Sequence, residues 1–114
     1  MENENFNFAA RMGMIADVRN DRGAVVAEIN RIVIGPMEIL TVPGELFPKS
    51  WWNVKPLMKG KLKAIFGLTN GEYGYILLPE DYYSGKHNYH VSVSVGHNFG
   101  LEIEKAMKKL VTAK

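Results

Sequence analysis

Two acidic turns are the places where this sequence could do chemistry. In the first, residues 41–48 (TVPGELFP), Glu45 follows an apolar strand pattern and a Pro-Gly pair. In the second, residues 70–75 (NGEYGY), Glu72 and Tyr75 follow another apolar run. Carboxylates at strand ends can hold a divalent cation or share acid and base work. The more common role of such a residue is an exposed acid in a capped turn, and the residues alone leave both interpretations open.

The histidines give a weaker signal. His87 and His90 are three positions apart, a spacing that brings two side chains together on a helix but not on a strand. Residues 89–95 alternate apolar and polar side chains, which predicts a half-buried strand. A metal site at this pair is therefore disfavoured, and His97 is expected in a surface role. No serine has the context of a nucleophile elbow.

Composition bounds the class of protein. The 114 residues, 46% of them hydrophobic, predict a single domain, 1–114, with one core. A net charge of +2 from 14 basic and 12 acidic residues does not indicate a polyanionic partner, so no nucleic acid is expected. The lysines around residues 55–63 leave nucleic-acid binding only as a remote alternative. The absence of cysteine excludes disulfides and thiolate metal sites.

The first residues and the apolar runs of the sequence bear on the location of the protein. The polar, acidic start at residues 1–5 does not resemble a signal peptide, and no apolar run approaches the roughly 20 residues of a membrane helix. We therefore expect a cytoplasmic protein without a membrane span.

The elements that must position the acidic turns follow from hydrophobic periodicity and from turn residues. The predicted fold class is α+β, a small mixed or antiparallel sheet of about five strands with a C-terminal amphipathic helix packed on it. Both tryptophans, Trp51 and Trp52, are expected in the core. The predicted strands are residues 13–18, 24–34, 37–42, 61–69, 75–78 and 89–95, with a turn at 20–23, helical turns near 51–52 and 79–83, and a helix at 101–111.

The order of these segments resembles one family. The succession RIVIGPMEILTVPGELFP (31–48), IFGLTNGEYGYILLPEDYY (65–83) and YHVSVSVG (89–96), closed by a helix, resembles the later part of the catalytic domain of neutral/alkaline ceramidases and their microbial relatives. The similarity covers most of the chain from about residue 8. It rests on Pro-Gly-Glu after a strand, then Gly-Leu-x-Asn with a Gly-Tyr pair, then a strand ending in Gly.

The resemblance implies a zinc-dependent hydrolase of the ceramide amide bond. In that family two histidines from the front of the domain, the glutamate of Pro-Gly-Glu and a tyrosine of the Asn-containing turn bind the metal. Glu45 matches the glutamate, the tyrosine position falls at Glu72, and Tyr75 matches the second tyrosine of that turn. The front part that carries the histidines has no counterpart in this chain.

Three hypotheses follow, with Glu45, Glu72 and Tyr75 as the candidate metal ligands. The first is a stand-alone ceramidase-like module that binds or self-associates without catalysis, as a homo-oligomer. The second is one subunit of a split zinc-dependent amidohydrolase, in which a partner chain supplies the histidines. The third is nucleic-acid binding. No cofactor is expected on the chain alone, and zinc is expected only in a complex.

Overall fold

A computed structural model describes residues 25–113 of the chain. The predicted strand at 13–18 and the predicted turn at 20–23 lie outside these residues. Strands β1 (Asn30–Ile34) and β2 (Met37–Thr41) form an antiparallel hairpin, in which Ile32 lies opposite Ile39. Gly35 turns the hairpin at a φ of 55°, a conformation that favours glycine. The predicted strands 24–34 and 37–42 flank Gly35-Pro36, a turn signal in the sequence, and the structure forms this hairpin with a shorter first strand.

Five strands form two small sheets in the described part of the chain. Strand β3 (Glu45–Leu46) follows β2, and strand β4 (Leu62–Phe66) pairs in parallel with β2 to complete the sheet β1-β2-β4. Strand β5 (Tyr75–Ile76) pairs in parallel with β3 in the second sheet. The predicted α+β class, with a small mixed sheet and a C-terminal helix, is confirmed.

Four α-helices and one 3₁₀ helix complete the fold of the described residues. Pro48 and Pro79 each open one of these helices. At the first helical position the missing N–H of proline costs no helical hydrogen bond. The longest, at the C-terminus, begins four residues before the predicted start. The helices are α1 (Pro48–Val54), the 3₁₀ helix Lys55–Leu57, α2 (Pro79–Tyr82), α3 (Asn88–Ser92) and α4 (His97–Thr112).

Helix α4 packs on one face of the larger sheet and so closes the core. Its buried residues Ile103, Met107 and Val111 recur every four positions, which places them in one stripe. They meet Leu40 of β2 and Val54 of α1 in a single apolar cluster. Trp51 packs against this cluster as predicted, but the prediction for Trp52 is wrong, because 62% of that residue is exposed.

Residues 89–95 correct the sequence prediction most clearly. The alternation in this segment predicts a strand, yet residues 88–92 form helix α3. In the described structure the segment pairs with a neighbouring strand only through an isolated bridge between Gly74 and Ser94. A strand needs a ladder of main-chain hydrogen bonds to a neighbour, and this segment lacks one among the described residues. Its backbone groups bond locally instead, as in the hydrogen bond from the Val91 N–H to the His87 carbonyl one helical turn earlier.

Two buried carboxylates tie elements together. Glu38 in β2 accepts hydrogen bonds from Arg31 Nε at 2.7 Å and from the backbone N–H groups of Lys59 and Gly60 at 2.6 Å. Burial alone would raise the pKa of Glu38, but these donors outweigh burial and lower it. The carboxylate therefore fastens the β1–β2 hairpin to the loop that leads into β4.

The second buried carboxylate joins α1 to α4. Glu104 accepts a bond from Asn53 Nδ2 at 3.2 Å and pairs with Lys108 Nζ at 2.7 Å. Burial acts to raise the pKa of Glu104, and Lys108, Asn53 and the nearby Ser50 hydroxyl lower it below its usual value. The Ser50 hydroxyl contributes although its geometry falls short of a regular hydrogen bond.

Within residues 25–113, no helix is long and apolar enough to cross a membrane.

Candidate functional site

Glu45 and Tyr75 lie side by side in the smaller sheet. They are direct partners in the parallel register of β3 and β5, so their side chains point to the same face. The backbone N–H of Glu45 donates to the carbonyl of Gly74 at 2.9 Å. The structure thus brings together two of the three residues that the sequence singled out.

Glycines on both strands allow this close approach. A Cβ added at Gly44 would lie 2.4 Å from the carbonyl oxygen of Gly74, a distance that a real side chain does not tolerate. Gly74 has a φ of 76°, which favours glycine, and a Cβ there would meet the carbonyl of Val93 at 1.9 Å. The Pro-Gly-Glu and Gly-Tyr motifs therefore position Glu45 and Tyr75 through backbone packing.

The pair is coupled electrostatically. Burial is the largest cause that raises the pKa of the Tyr75 hydroxyl, and the negative charge of Glu45 is the next. Tyr89 and a hydrogen bond with Glu45 act in the same direction. Ionisation of the Tyr75 phenol is therefore disfavoured beside the Glu45 carboxylate, and the two side chains place oxygen atoms on the same face of the small sheet.

Glu72 lies apart from the paired strands. It is exposed on the loop between β4 and β5, beside Tyr73, whose N–H donates to the carbonyl of Pro43 at 2.8 Å. No contact among the described residues joins Glu72 to Glu45 or Tyr75. Its part in a metal site stays a prediction, as do those of Glu45 and Tyr75.

The structure adds two histidines to this neighbourhood. Because residues 88–92 are helical, His87 and His90 face each other with ring centroids 5.8 Å apart, where the predicted strand had separated them. The His90 ring lies 4.6 Å from that of Tyr75 and 5.3 Å from that of Phe47, both edge to face. The His-x-x-His spacing was the signal for this proximity, and the wrong strand prediction concealed it.

These residues form a compact group that we call the Tyr75 cluster: Glu45, Phe47, Tyr75, His87, Tyr89 and His90. Zinc, which the family resemblance implies, normally has three protein ligands at a catalytic centre. In the described part of the chain no three His, Asp or Glu side chains are placed to share a metal ion. The described residues by themselves therefore do not fit such a centre, and no reaction step is derived through one.

A second feature is the face of the larger sheet that points away from α4. Residues paired across the three strands share a face, and one set of rows contains only uncharged side chains. We call this the uncharged face: Asn30, Ile32, Ile34, Met37, Ile39, Thr41, Leu62, Ala64 and Phe66. Seven of the nine are apolar.

Several large side chains of the uncharged face are open to solvent. Ile34 is 64% exposed, Leu62 55% and Phe66 52%, although an apolar side chain gains free energy from burial. The opposite face of the same strands carries Leu40 in the core together with the Arg31–Glu38 pair. The alternation in the predicted strand 61–69 places Leu62, Ala64, Phe66 and Leu68 on one face, but does not show that this face lies outside the core.

Comparisons with protein-family models, with curated proteins and with solved structures found no match to this chain. The ceramidase resemblance of the sequence therefore stays a prediction, and the geometry of the Tyr75 cluster and of the uncharged face is what a functional proposal can use.

Proposed function

We propose that this protein is a non-catalytic, ceramidase-like binding module that holds another protein surface against its uncharged face. The observation that carries the proposal is the group of exposed aliphatic and aromatic side chains on that face, represented by Ile34, Leu62 and Phe66. Contiguous exposed apolar surface on a small domain marks an interaction site more often than an accident of composition.

The pairing of the strands supports the same proposal. Strands β2 and β4 run parallel within this mixed sheet, and all-parallel sheets are found almost only with both faces covered. Helix α4 and helix α1 contribute to the core on one face only. A partner on the uncharged face would give these strands the second layer that their arrangement favours.

Hydroxyl-radical footprinting tests whether the face is covered in the cell. Phe66 and Met37 report on the face, and Trp52 and Tyr83, which are 62% and 68% exposed, serve as controls elsewhere. In extract from cells that express the gene naturally, Phe66 should be protected relative to the dilute purified chain, while the controls react equally in both. Equal reactivity of Phe66 in the two samples would contradict the proposal.

A second candidate is one subunit of a split zinc-dependent amide hydrolase. The pairing of Glu45 with Tyr75 favours it, because it presents two oxygen donors on one surface. A partner chain would have to add histidine ligands to complete a metal site of ordinary composition. Glu45 and Tyr75 would then hold the metal together with those histidines, and the metal would supply the Lewis acid for amide hydrolysis.

Metal analysis of a co-purified complex tests this second candidate. The chain is co-expressed with a histidine-bearing chain encoded beside it, and zinc is measured in the complex. Glu45→Gln should remove the zinc, whereas Glu80→Gln, a substitution of another exposed acid, should leave it unchanged. A complex without zinc, or zinc retained by the Glu45→Gln variant, would exclude Glu45 as a ligand.

A further inference from the structure

We infer that the partner on the uncharged face is a second copy of this chain, so that two sheets pack face to face around a two-fold axis. This inference rests on the proposed function, since it names the occupant of the same surface. It is carried by the charge of that surface, by the arrangement of its exposed side chains and by its area.

The charge pattern permits self-association. None of the nine positions of the uncharged face holds an acidic or basic residue. Two identical faces that meet across a two-fold axis therefore bring no like charges together, which would otherwise cost several kcal/mol. The charged pair of this sheet, Arg31 and Glu38, points to the opposite face and stays clear of such an interface.

The exposed side chains of the face lie in two rows. The central strand between them is nearly buried, with Ile39 5% and Thr41 2% exposed, while Ile34 on β1 and Leu62 and Phe66 on β4 are more than half exposed on either side. Neighbouring strands lie about 4.8 Å apart, so the two exposed rows are roughly 10 Å apart.

The spacing of these rows admits one row from a second copy between them. A two-fold axis parallel to the strands, between β2 and β4, places the Leu62–Phe66 row of each copy over β2 of the other. Both contacts then form at once, as an isologous interface requires. Two apolar inner faces packed in this way make the usual core of a sheet sandwich.

The area of the face sets the strength of the dimer. Its partly exposed apolar side chains, at about 200 Å² for a fully exposed large residue, present roughly 400–500 Å² per copy. The pair would bury about 900 Å², which lies in the range of weak, reversible interfaces. We therefore expect a dimer that dissociates on the order of micromolar concentration.

A matched pair of variants tests the inference. Ile34 and Val33 are neighbours on β1 with similar exposure, 64% and 55%, but only Ile34 belongs to the uncharged face. In sedimentation equilibrium from about 1 to 200 µM, the wild type and Val33→Asn should dimerise with Kd values within about threefold of each other. Ile34→Asn should weaken the dimer at least tenfold. Leu62→Asn, in the other exposed row, provides a second variant of the same kind if Ile34→Asn fails to fold by circular dichroism.

Three results would overturn the inference: a wild-type chain that stays monomeric over this range, a dimer that Ile34→Asn and Leu62→Asn leave intact, or a dimer that Val33→Asn disrupts equally. The footprinting experiment separates these failures from failure of the proposed function. A monomeric purified chain with Phe66 protected only in extract would assign the face to a different protein. Phe66 unprotected in both samples would remove the binding function itself.

Discussion

Glu45 and Tyr75 are register partners in the parallel pair of β3 and β5, and the carboxylate of Glu45 helps to raise the pKa of the Tyr75 hydroxyl. The two residues are thirty positions apart in the chain, and their strands meet where Gly44 leaves no room for a Cβ against the carbonyl of Gly74. This contact links the two acidic turns into one site.

The first prediction concerns the titration of Tyr75. Glu45→Gln removes a neighbouring negative charge and should lower the pKa of Tyr75 toward its ordinary value, although burial, the largest cause, keeps part of the increase. NMR titration of ring-labelled tyrosine measures the change. Glu72→Gln is the control and should leave Tyr75 unchanged; a similar shift from both variants would mean that Glu45 has no specific role.

The same pKa has a consequence for stability at alkaline pH. Because the folded-state pKa of Tyr75 is raised above its unfolded value, the folded protein binds this proton more tightly. The stability that this proton contributes is fully present below the pKa of the unfolded state, about 10. It is lost as the pH rises through the pKa of the folded state. Above about pH 10, the urea midpoint of Glu45→Gln should therefore decrease less steeply with pH than that of the wild type. An equal slope in the two proteins would contradict the influence of Glu45 on the pKa of Tyr75.

The second prediction concerns Glu38. Glu38→Gln leaves Arg31 without its carboxylate and weakens charge-assisted bonds from the Lys59 and Gly60 N–H groups. We expect the free energy of unfolding to fall by about 2 kcal/mol, measured by urea denaturation. Glu102→Gln removes a surface pair with Lys105, both side chains being more than 60% exposed, and should change stability by less than about 0.5 kcal/mol.

The lowered pKa of Glu38 leads us to expect that acid destabilises the protein. Its pKa is lowered in the folded state, so its contribution is present above the unfolded pKa, 4.5, and is lost as the pH falls through the folded pKa. The difference in stability between wild type and Glu38→Gln should shrink on acidification below that value. A difference that is constant with pH would show that the carboxylate charge is not what stabilises the loop.

The third prediction concerns the contact between α1 and α4. Asn53→Ala removes a donor to the buried Glu104, which keeps Lys108 as its partner. Loss of one hydrogen bond to a carboxylate should cost about 1.5 kcal/mol in urea denaturation. Lys105→Ala, on the exposed side of α4, is the comparison and should be nearly neutral. Equal effects of the two substitutions would contradict a specific role for Asn53.

The fourth prediction reverses a usual rule of helix design. Replacing glycine by alanine inside a helix normally stabilises it by about 1 kcal/mol. At Gly100 in α4, however, a Cβ would lie 1.9 Å from the carbonyl oxygen of Leu77, which is backbone. Gly100→Ala should therefore lower the thermal midpoint by several degrees, about 2 kcal/mol or more. Lys109→Ala in the same helix controls for composition, and a stabilised Gly100→Ala variant would show that α4 can move away from Leu77.

Local patterns predicted the hairpin and the last helix because their signals are short-range. The β-branched residues 32–34, 39, 41 and 42 flank a Gly-Pro turn, and residues 103, 107 and 111 form an apolar stripe at helical spacing. Both patterns agree with the elements into which the chain folds, β1 and β2 in one case and α4 in the other. Where local preference and packing agree, periodicity is sufficient.

The alternating segment 89–95 shows where periodicity fails. Its pattern suits a strand, but a strand needs a neighbour to accept and donate main-chain hydrogen bonds, and only a bridge to Gly74 is present in the described structure. The segment instead forms α3 and places His90 against Tyr75. No property of the seven residues themselves indicates which long-range partner is available.

The sequence by itself determined the α+β class, the hairpin, the C-terminal helix and the two acidic turns, because each depends on residues close together in the chain. The tertiary structure alone decided that Glu45 meets Tyr75, that His87 and His90 join them, and that Leu62 and Phe66 face solvent. These relationships depend on strand order, on register and on which face α4 covers. They are set by packing between distant segments, for which a periodic pattern holds no information.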